Sequence, residues 1–420
     1  MPATNTLGEM LTTIFDRRPF GRKVKDERPL ESLCRALLAE KAEVSGLQLA
    51  SAILAKYREV DEAEKLSFFK FLNDDFDLDS DKLVELASAY SEDHSAANFL
   101  ALSKAAESGR REFLRRLNQA PNATADIVRM RKDLLAMLDS APELARTDHD
   151  FVHLLRSWFN RGFLVLRQVN WDSPAAILEK IIAYEAVHEI YTWADLRRRL
   201  HPADRRCFAF FHPAMPEEPL IFVEVALTKG VPNSIQNVLS DSREALDEED
   251  ADTAVFYSIS NCQDGLAGIS FGNSLIKQVV RDISNELQAV KTYVTLSPIP
   301  GLKKWLDGHE VDSEGLPDDA LAKLAASYLI FGKTSYGKPL DPVARFHLGN
   351  GAQIHALHTG ADLSDNGMAQ SGGVMVNYLY DLGRLSKNLK GFDEKDEVAA
   401  SPSIKSLAKQ ADLGSTKAAN

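Results

Sequence analysis

The sequence predicts an α+β protein with two domains, an all-helical bundle over residues 1–155 and a mixed helix-and-strand domain over residues 156–390. A chain of 420 residues exceeds what one hydrophobic core ordinarily covers. Apolar residues recur at helical spacing up to about residue 150. Beyond that point, short runs rich in β-branched and aromatic residues alternate with helical stretches. These observations together indicate the fold class.

The amino-terminal part is predicted to be helical throughout. Ile127, Met130, Leu134 and Leu138 recur every three or four residues, as on the buried face of an amphipathic helix. The same spacing is found at residues 30–40, 46–57, 61–72, 82–90 and 96–117. Short polar segments separate these stretches, so a helical bundle follows. Bundles of this kind are more often scaffolds or oligomer contacts than chemical sites.

The second part is predicted to contain strands and helices in alternation. Strand-like runs bounded by turn residues lie at residues 207–211, 220–227, 254–260 and 290–296. Helical patterns lie at residues 174–187, 271–287 and 318–330. From Gly391 onward the chain is rich in Ser, Lys and Asp, and residues 391–420 are predicted to form a mobile polar tail.

Composition excludes several functional classes. The formal net charge of −12 argues against nucleic acid as a partner, because neutralising phosphates requires a basic surface. No run of about eighteen apolar residues occurs, so no membrane span is expected. Cys34, Cys207 and Cys262 form no CxxC pair, which favours reduced thiols over a disulfide framework or a zinc site. Residues 1–23 lack an apolar signal core, so a cytoplasmic protein is expected.

No metal site is predicted. The acidic stretch from Asp74 to Asp81 resembles the start of a calcium loop, but Ser80 and Leu86 stand where glycine and glutamate are required. His355 and His358 are three apart in a predicted strand, hence on opposite faces. His188 follows Glu185 by three residues, as in half of a di-iron motif, but no second such pair occurs, and a surface or domain-contact role is favoured.

Two short phrases carry the candidate catalytic residues, and neither is expected to be a regular helix or a long strand. In Thr295-Leu296-Ser297-Pro298-Ile299-Pro300-Gly301, the prolines stiffen the backbone and push Ser297 toward extended geometry. In Phe346-His347-Leu348-Gly349-Asn350-Gly351, the turn residues are expected to place His347 at the edge of a loop. A serine and a histidine held in this way are candidates for catalysis.

A glycine-rich passage between a predicted strand and a predicted helix is a candidate anion site. Gly265, Gly268 and Gly272 allow a ligand to approach the backbone, and the following helix start favours negative charge. Lys277 and Arg281 could add positive charge. The glycine spacing matches neither the Walker A motif nor the dinucleotide fingerprint. A turn that merely joins strand to helix remains the alternative.

The same passage satisfies G-x-S-x-G, the nucleophile elbow of α/β-hydrolases, with Ser270 as the nucleophile. An elbow serine sits on a sharp turn directly after its strand, whereas Ser270 is ten positions beyond Ser260, where the predicted strand ends. The His-Gly-Gly oxyanion motif is also missing. A Ser/His thioesterase-like hydrolase using Ser270 is therefore the less favoured interpretation.

The chain resembles the malonyl-CoA decarboxylase family over about residues 158–377. The matching phrases include Phe256-Tyr257-Ser258-Ile259-Ser260, Gly265-Leu266-Ala267-Gly268, Leu275-Ile276-Lys277, Leu296-Ser297-Pro298-Ile299-Pro300-Gly301 and Phe346-His347-Leu348. The resemblance implies a helical amino-terminal domain that mediates assembly, followed by a catalytic domain with the GNAT fold of acetyl-CoA-dependent N-acetyltransferases. It also implies a homo-oligomer, either a dimer or a tetramer.

The resemblance further implies an activity, the conversion of malonyl-CoA to acetyl-CoA and CO2 in fatty acid metabolism. Ser297 would be the proton acceptor and His347 the proton donor. The substrate would contact Ala267, Gly268, Ile269, Ser270, Phe271, Gly272, Asn273 and Ile276. No organic cofactor is expected, because the thioester carbonyl can accept the electrons released with CO2. Vertebrate members have an acidic residue in place of Ser270, which argues against a required role for this serine.

The family resemblance leaves two further expectations. The peroxisomal ending of the family is missing from Lys417-Ala418-Ala419-Asn420, in line with the cytoplasmic expectation. An acetyltransferase that shares the CoA site but transfers acetyl groups to amines is one alternative function, and a non-catalytic assembly protein that binds CoA esters or a protein partner without turnover is another.

Overall fold

The computed structural model describes residues 26–269, 275–313 and 315–411. The chain forms two compact units. Unit 1 comprises Met1–Val165, Phe211–Glu218 and Gln263–Phe271, and unit 2 comprises Leu166–Phe210, Pro219–Cys262 and Gly272–Asn420. No helix among these described residues is long and apolar enough to cross a membrane.

Unit 1 contains the predicted helices. They are α1 Leu30–Ala39, α2 Glu43–Tyr57, α3 Glu62–Asp75, α4 Ser80–Glu92, α5 Ala96–Ala105, α6 Gly109–Leu117, α7 Ala123–Met137 and α8 Ala145–Trp158. Side-chain caps define several starts. Asp61 and Glu64 form a capping box before α3. The single helix predicted over residues 96–117 is wrong, because Ser108 accepts a hydrogen bond from the Arg111 N–H and so begins a new helix.

The core of unit 1 is aromatic. Phe68, Phe69, Phe113 and Phe151 are buried, and their rings meet at edge-on angles with centroids 5.4 to 6.5 Å apart.

The α4–α5 hairpin differs from the rest of unit 1. Neither helix has a single buried residue. Val84, Phe99 and Leu100 are more than half exposed. Helices this short gain most of their stability from packing, so the hairpin leaves an apolar face uncovered within one chain.

Unit 2 is built on a mixed sheet. Its strands are β1 Val165–Val169, β2 Arg205–His212, β3 Met215–Thr228, β4 Thr253–Asn261, β5 Thr292–Thr295, β6 Ser297–Pro298, β7 Gln353–His358 and β8 Met375–Leu379. The strand order is β1-β2-β3-β4-β5-β8-β6, and β7 also pairs with β8. Strands β4 and β5 run parallel, whereas β3 and β8 are antiparallel to their respective neighbours β4 and β5. The four strands predicted from the sequence are therefore confirmed.

Along the chain, helices alternate with these strands and also follow the last strand. They are α9 Ala175–Tyr184, α10 Trp193–Leu200, α11 Ile235–Leu239, α12 Leu275–Glu286, α13 Leu302–Asp307, α14 Asp318–Phe331, α15 Pro342–Leu348, α16 Asp365–Ser371, α17 Leu385–Lys395 and α18 Pro402–Lys409. The helix predicted over residues 174–187 ends earlier than expected, at Tyr184, because Glu185 adopts an extended conformation.

The prediction of a mobile tail from Gly391 is wrong for residues 391–411. Helices α17 and α18 occupy most of this segment, and Phe392, Ile404 and Ala408 are buried. Between the helices, the Ile354 N–H of β7 donates a hydrogen bond to Ala399 O, and Ile354 O accepts a hydrogen bond from the Ser401 N–H. A few well-spaced apolar residues thus anchor a segment whose average composition is polar. Residues 412–420 lie outside the described residues.

Candidate active site

Ser297 occupies the short strand β6, where it pairs with Val376 of β8. This is the extended geometry predicted from the following proline. The hydroxyl is buried and donates to Thr295 Oγ1 at 2.9 Å. Thr295 is itself fixed by β8, because its carbonyl accepts from Asn377 Nδ2 at 2.7 Å and its hydroxyl oxygen accepts from the Tyr378 N–H at 3.1 Å. The position of the serine is therefore set by the sheet.

His347 lies in the last turn of α15, so the expectation that its phrase forms no regular helix is wrong. Asp341 caps this helix by accepting from the Ala344 N–H at 2.8 Å, and Pro342 occupies its first position. The predicted turn does follow directly. Gly351 there has a φ of +89°, and a Cβ at this position would lie 2.5 Å from Leu385 O, so only glycine fits.

The structure brings Ser297 and His347 together. Ser297 Oγ lies 3.4 Å from His347 Nε2, and His347 Nδ1 lies 2.8 Å from the Tyr380 hydroxyl. The imidazole also stacks on Tyr378 at 4.5 Å with an interplanar angle of 23°. Each ring nitrogen thus faces a hydroxyl, and these contacts together with the stacking on Tyr378 fix the position and orientation of the imidazole. The proximity is observed, while the catalytic roles remain predictions.

The side chains in contact in this site, Ser297, His347, Tyr378 and Tyr380, are uncharged. Burial lowers the pKa of His347 to about 3, so its imidazole is uncharged at pH 7. Burial likewise raises the pKa of Tyr380 and that of Tyr378 well above the usual tyrosine range, which keeps both phenols protonated. The result is a cluster of neutral hydrogen-bonding groups with little exposure to water.

Sequence reasoning missed the residues that hold this pair. Thr295 lies in the phrase that contains Ser297, but nothing in the local sequence indicates that it positions the serine hydroxyl. Asn377, Tyr378 and Tyr380 lie in or directly after β8, far from both phrases in sequence. The available signal was the pair Tyr378 and Tyr380, because residues two positions apart in extended chain lie on the same face.

A pocket of about 280 Å³ adjoins Tyr380 and helix α12. Its lining includes Lys277 and Arg281, the two cations that the sequence suggested for an anionic ligand. Its lining also includes Leu382, Leu385, Ser386 and Leu389. The pocket therefore combines positive charge, apolar surface and the tyrosine bonded to His347.

Residues 263–269, the described part of the glycine-rich passage, form a tightly held turn. A Cβ on Gly265 would lie 1.9 Å from Val128 O, and Gly268 has a φ of +76°. Arg131 donates to the carbonyl oxygens of Gly265 and Ala267, each at 2.8 Å, and pairs with Asp148. The arginine on α7 thereby fixes the backbone of this turn.

The predicted substrate contacts fall into three groups. In the first group, Ala267 and Ile269 donate their N–H groups to carbonyl oxygens within the turn, and Gly268 lies between them with a positive φ. Ile276 is fully buried in α12, which leaves no side-chain surface for a ligand. The remaining contacts, Ser270, Phe271, Gly272 and Asn273, lie outside the described residues, as does the hydrolase interpretation that uses Ser270.

The other histidines do not form a metal site. Among the described residues, no group of three His, Cys, Asp or Glu side chains could hold a metal ion. His358 lies in β7, with its Nε2 2.5 Å from Asn377 Oδ1. His188 is not on a helix, and its N–H donates to Glu185 Oε1 at 2.8 Å. Cys34, Cys207 and Cys262 are buried, and none of these described residues forms a disulfide bond.

The chain is similar to known proteins in both sequence and structure. The family model described as the malonyl-CoA decarboxylase C-terminal domain matches residues 162–318 and 309–418, and the model described as the N-terminal domain matches residues 76–159. The mitochondrial malonyl-CoA decarboxylase of the goose Anser anser anser is 35% identical over 352 residues, covering 71% of this chain and 69% of the goose protein. The mouse protein of the same name is 35% identical and covers 68% of each chain.

Solved structures agree with these matches. The malonyl-CoA decarboxylase of Rhodopseudomonas palustris is 48% identical with a TM-score of 0.84, covering 90% of this chain and 98% of that chain. The enzyme from Agrobacterium vitis is 47% identical with a TM-score of 0.86, covering 90% and 99%. The predicted fold class, a helical front followed by a domain of mixed helices and strands, is confirmed, while the GNAT type of the second domain stays a prediction. The chain belongs to the malonyl-CoA decarboxylase family.

Proposed function

We propose that the protein converts malonyl-CoA to acetyl-CoA and CO2. The observation that carries this proposal is the buried pair of Ser297 and His347, with its 3.4 Å separation and the Tyr380 hydroxyl behind the imidazole. Family membership supplies the substrate, since the relatives with solved structures are named malonyl-CoA decarboxylases.

The chemistry requires no electron sink beyond the substrate. Loss of CO2 from a malonyl thioester leaves an enolate, and the thioester carbonyl accepts the electron pair. The site then has to orient the carboxylate, stabilise the oxyanion and protonate the α-carbon. A single oriented donor to an oxyanion is typically worth about 2.7 to 4 kcal/mol, so a few fixed hydrogen bonds account for much of the required acceleration.

Ser297 is assigned the contact with the reacting acyl group. Its hydroxyl donates to Thr295 in the absence of substrate, and rotation about one bond would redirect it to the malonyl carboxylate or the thioester oxygen. Because His347 is uncharged, it forms no ion pair that would stabilise the carboxylate before CO2 leaves. An uncharged site therefore favours the spreading of the negative charge from the malonyl carboxylate into the thioester as CO2 leaves.

His347 is assigned the proton transfer to the α-carbon. The protonated Tyr380 hydroxyl can donate to Nδ1, and this leaves the imidazole proton on Nε2, the atom that faces Ser297. A thioester enolate is a stronger base than the imidazolate that the neutral ring becomes on losing its Nε2 proton, so the neutral ring suffices as donor. The net reaction consumes one proton, which solvent returns to the ring before the next turnover. General acid catalysis by a positioned group typically contributes about 10²- to 10⁴-fold.

The coenzyme is assigned to the cationic pocket. Lys277 and Arg281 lie one turn apart on α12, and phosphate groups are the anionic part of a CoA ester. The backbone of residues 267–273 stays in the proposal as a further contact on the strength of the family resemblance.

Assembly into a homo-oligomer through the helical domain is also proposed. The uncovered apolar face of the α4–α5 hairpin supports it, with a second copy of the chain as occupant. The cytoplasmic location predicted from the sequence stays a proposal, and the goose and mouse relatives are named as mitochondrial.

The decisive experiment incubates the purified protein with malonyl-CoA and follows the CoA species by mass. Formation of acetyl-CoA with release of CO2 is expected. Free CoA as the first product would indicate a hydrolase and contradict the proposal. A parallel incubation with acetyl-CoA and amines tests for acetyl transfer, and turnover there without decarboxylation would also overturn it.

A further inference from the structure

Asp341 connects the two segments that carry the proposed catalytic residues. Its carboxylate is buried, with 1% of its surface exposed, at the amino end of α15. Oδ1 accepts from the Ala344 N–H at 2.8 Å and so caps the helix that bears His347. Oδ2 faces the Gly301 N–H at 3.4 Å and the Tyr328 hydroxyl at 3.5 Å. Gly301 closes the phrase that begins with Thr295 and contains Ser297.

The surroundings of Gly301 are closely packed. A Cβ at this position would lie 2.1 Å from the Tyr328 hydroxyl, so only glycine allows the approach. Tyr328 in turn packs on Trp305 of α13 with ring centroids 5.3 Å apart. The chain after Ser297 therefore packs against Tyr328, the tyrosine whose hydroxyl faces Asp341.

Neither of Asp341's two oxygens is redundant. An ordinary helix cap needs one acceptor, which Oδ1 supplies. The second oxygen is directed at the serine segment, and no cation within salt-bridge distance of it is found among the described residues. Burial raises the pKa of this carboxyl, while the backbone N–H groups of Ala344 and Gly301 oppose the shift. Burying a carboxyl in this way is costly unless its hydrogen bonds are formed.

We propose that Asp341 is a positioning residue for the decarboxylation, holding the Ser297 segment and the His347 helix at the separation that the reaction requires. The inference rests on the proposed function of the Ser297–His347 pair. Asp341 touches no substrate atom and acts through the two segments that it joins. A displacement of about 1 Å in a catalytic group can cost about 10²-fold in rate, so a bridge of this kind affects turnover more than binding.

The test is Asp341→Asn. Asparagine caps helices as well as aspartate does, so Oδ1 keeps the bond to Ala344. The second atom becomes an amide N–H₂, which opposes the Gly301 N–H instead of accepting from it. A fall in kcat of about 10-fold or more is expected, with the KM for malonyl-CoA and the Kd for acetyl-CoA within about 2-fold of the wild type. The matched control is Asp79→Asn, the same substitution at the cap of α4, where kcat is expected to stay unchanged.

A second variant covers the case in which Asp341→Asn does not fold. Gly301→Ala leaves Asp341 and its cap intact but forces the serine segment away from Tyr328, and it should reproduce the selective fall in kcat. Gly308→Ala is its control, because a Cβ there makes only ordinary contacts at 3.5 Å.

A kcat within 2-fold of the wild type in either folded variant overturns the inference. Equal losses in kcat and in acetyl-CoA binding would also overturn it, since they indicate a general structural role. Failure of the proposed function is distinguishable, because the wild-type protein would then form no acetyl-CoA.

Discussion

Unit 2 contains two buried polar clusters, one made of uncharged side chains and the other containing an ion pair. The first is the neutral cluster, defined here as Ser297, His347, Tyr380 and Thr295. The second is the charged cluster, defined as Glu185, Glu224, Arg199, His188 and Ser258. Arg199 Nη1 pairs with Glu224 Oε2 at 2.9 Å, and Ser258 Oγ donates to Glu185 at 2.7 Å. Both clusters contain a buried histidine with a lowered pKa.

The two histidines show what a pKa shift can and cannot indicate. Burial lowers the pKa of His188 to about 4 and that of His347 to about 3. His347 has a hydroxyl at each ring nitrogen, whereas Nε2 of His188 is buried and finds no partner among the described residues. The lowered pKa reports burial in both cases. The arrangement of partners, rather than the shift, distinguishes a candidate for proton transfer.

The largest effect is expected for His347→Ala. Loss of the proposed proton donor should lower kcat by about 10²- to 10⁴-fold, as measured by acetyl-CoA formation from saturating malonyl-CoA. His188→Ala is the matched control, because it removes a buried imidazole of similar pKa from the charged cluster. It should lower the melting temperature while kcat stays within about 10-fold, in keeping with a cavity in the core. Similar losses of kcat in the two variants would remove the distinction between the clusters.

A smaller loss is expected for Ser297→Ala. Removing one hydroxyl directed at the reacting acyl group should lower kcat by about 10- to 10²-fold. This loss is smaller than the one that removal of a preorganised oxyanion donor typically causes. Ser258→Ala removes a hydroxyl of the charged cluster and should reduce stability more than kcat. If Ser297→Ala raises KM alone, Ser297 binds substrate without taking part in the chemical step.

The charged cluster should reveal itself through pH-dependent stability. Burial raises the pKa of Glu224 to about 7, and Arg199 opposes this shift. The unfolded glutamate ionises near 4.5, so between about pH 4.5 and 7 the folded state binds more protons than the unfolded state. The free energy of unfolding of the wild type, relative to Glu224→Gln, should therefore fall as the pH rises through this window. Denaturant titrations of both proteins at several pH values measure it, and a rising or flat difference would contradict the expectation.

The smallest effect on turnover is expected at the α4–α5 hairpin, which belongs to neither cluster. Val84→Asp with Leu100→Asp should shift the oligomer to smaller species in light scattering after size-exclusion chromatography, while kcat per chain remains within about 2-fold. Val44→Asp is the control, because Val44 is 69% exposed and Val84 is 68% exposed. An unchanged mass in the double variant would place the subunit contact elsewhere.

Sequence periodicity predicted most elements of the fold, and the errors have physical causes. The break at Ser108 and the ordered segment after Gly391 were missed, because one polar cap or three buried apolar residues outweigh the local average composition. The extended backbone at Ser297 and the turn after His347 were predictable, since prolines and a glycine turn constrain their own neighbourhoods. Thr295, Asn377, Tyr380 and Asp341 were not assigned roles, because their importance arises from pairing across strands and helices distant in sequence.

The most direct test of the central claim is a double-mutant cycle on Ser297 and His347. Turnover of malonyl-CoA would be measured for the wild type, for Ser297→Ala, for His347→Ala and for the double variant, with folding checked by circular dichroism. If the two residues act as one unit, the double variant should be no slower than His347→Ala alone, within about 3-fold. Losses that multiply in the double variant would show that the two side chains act independently and would contradict the account.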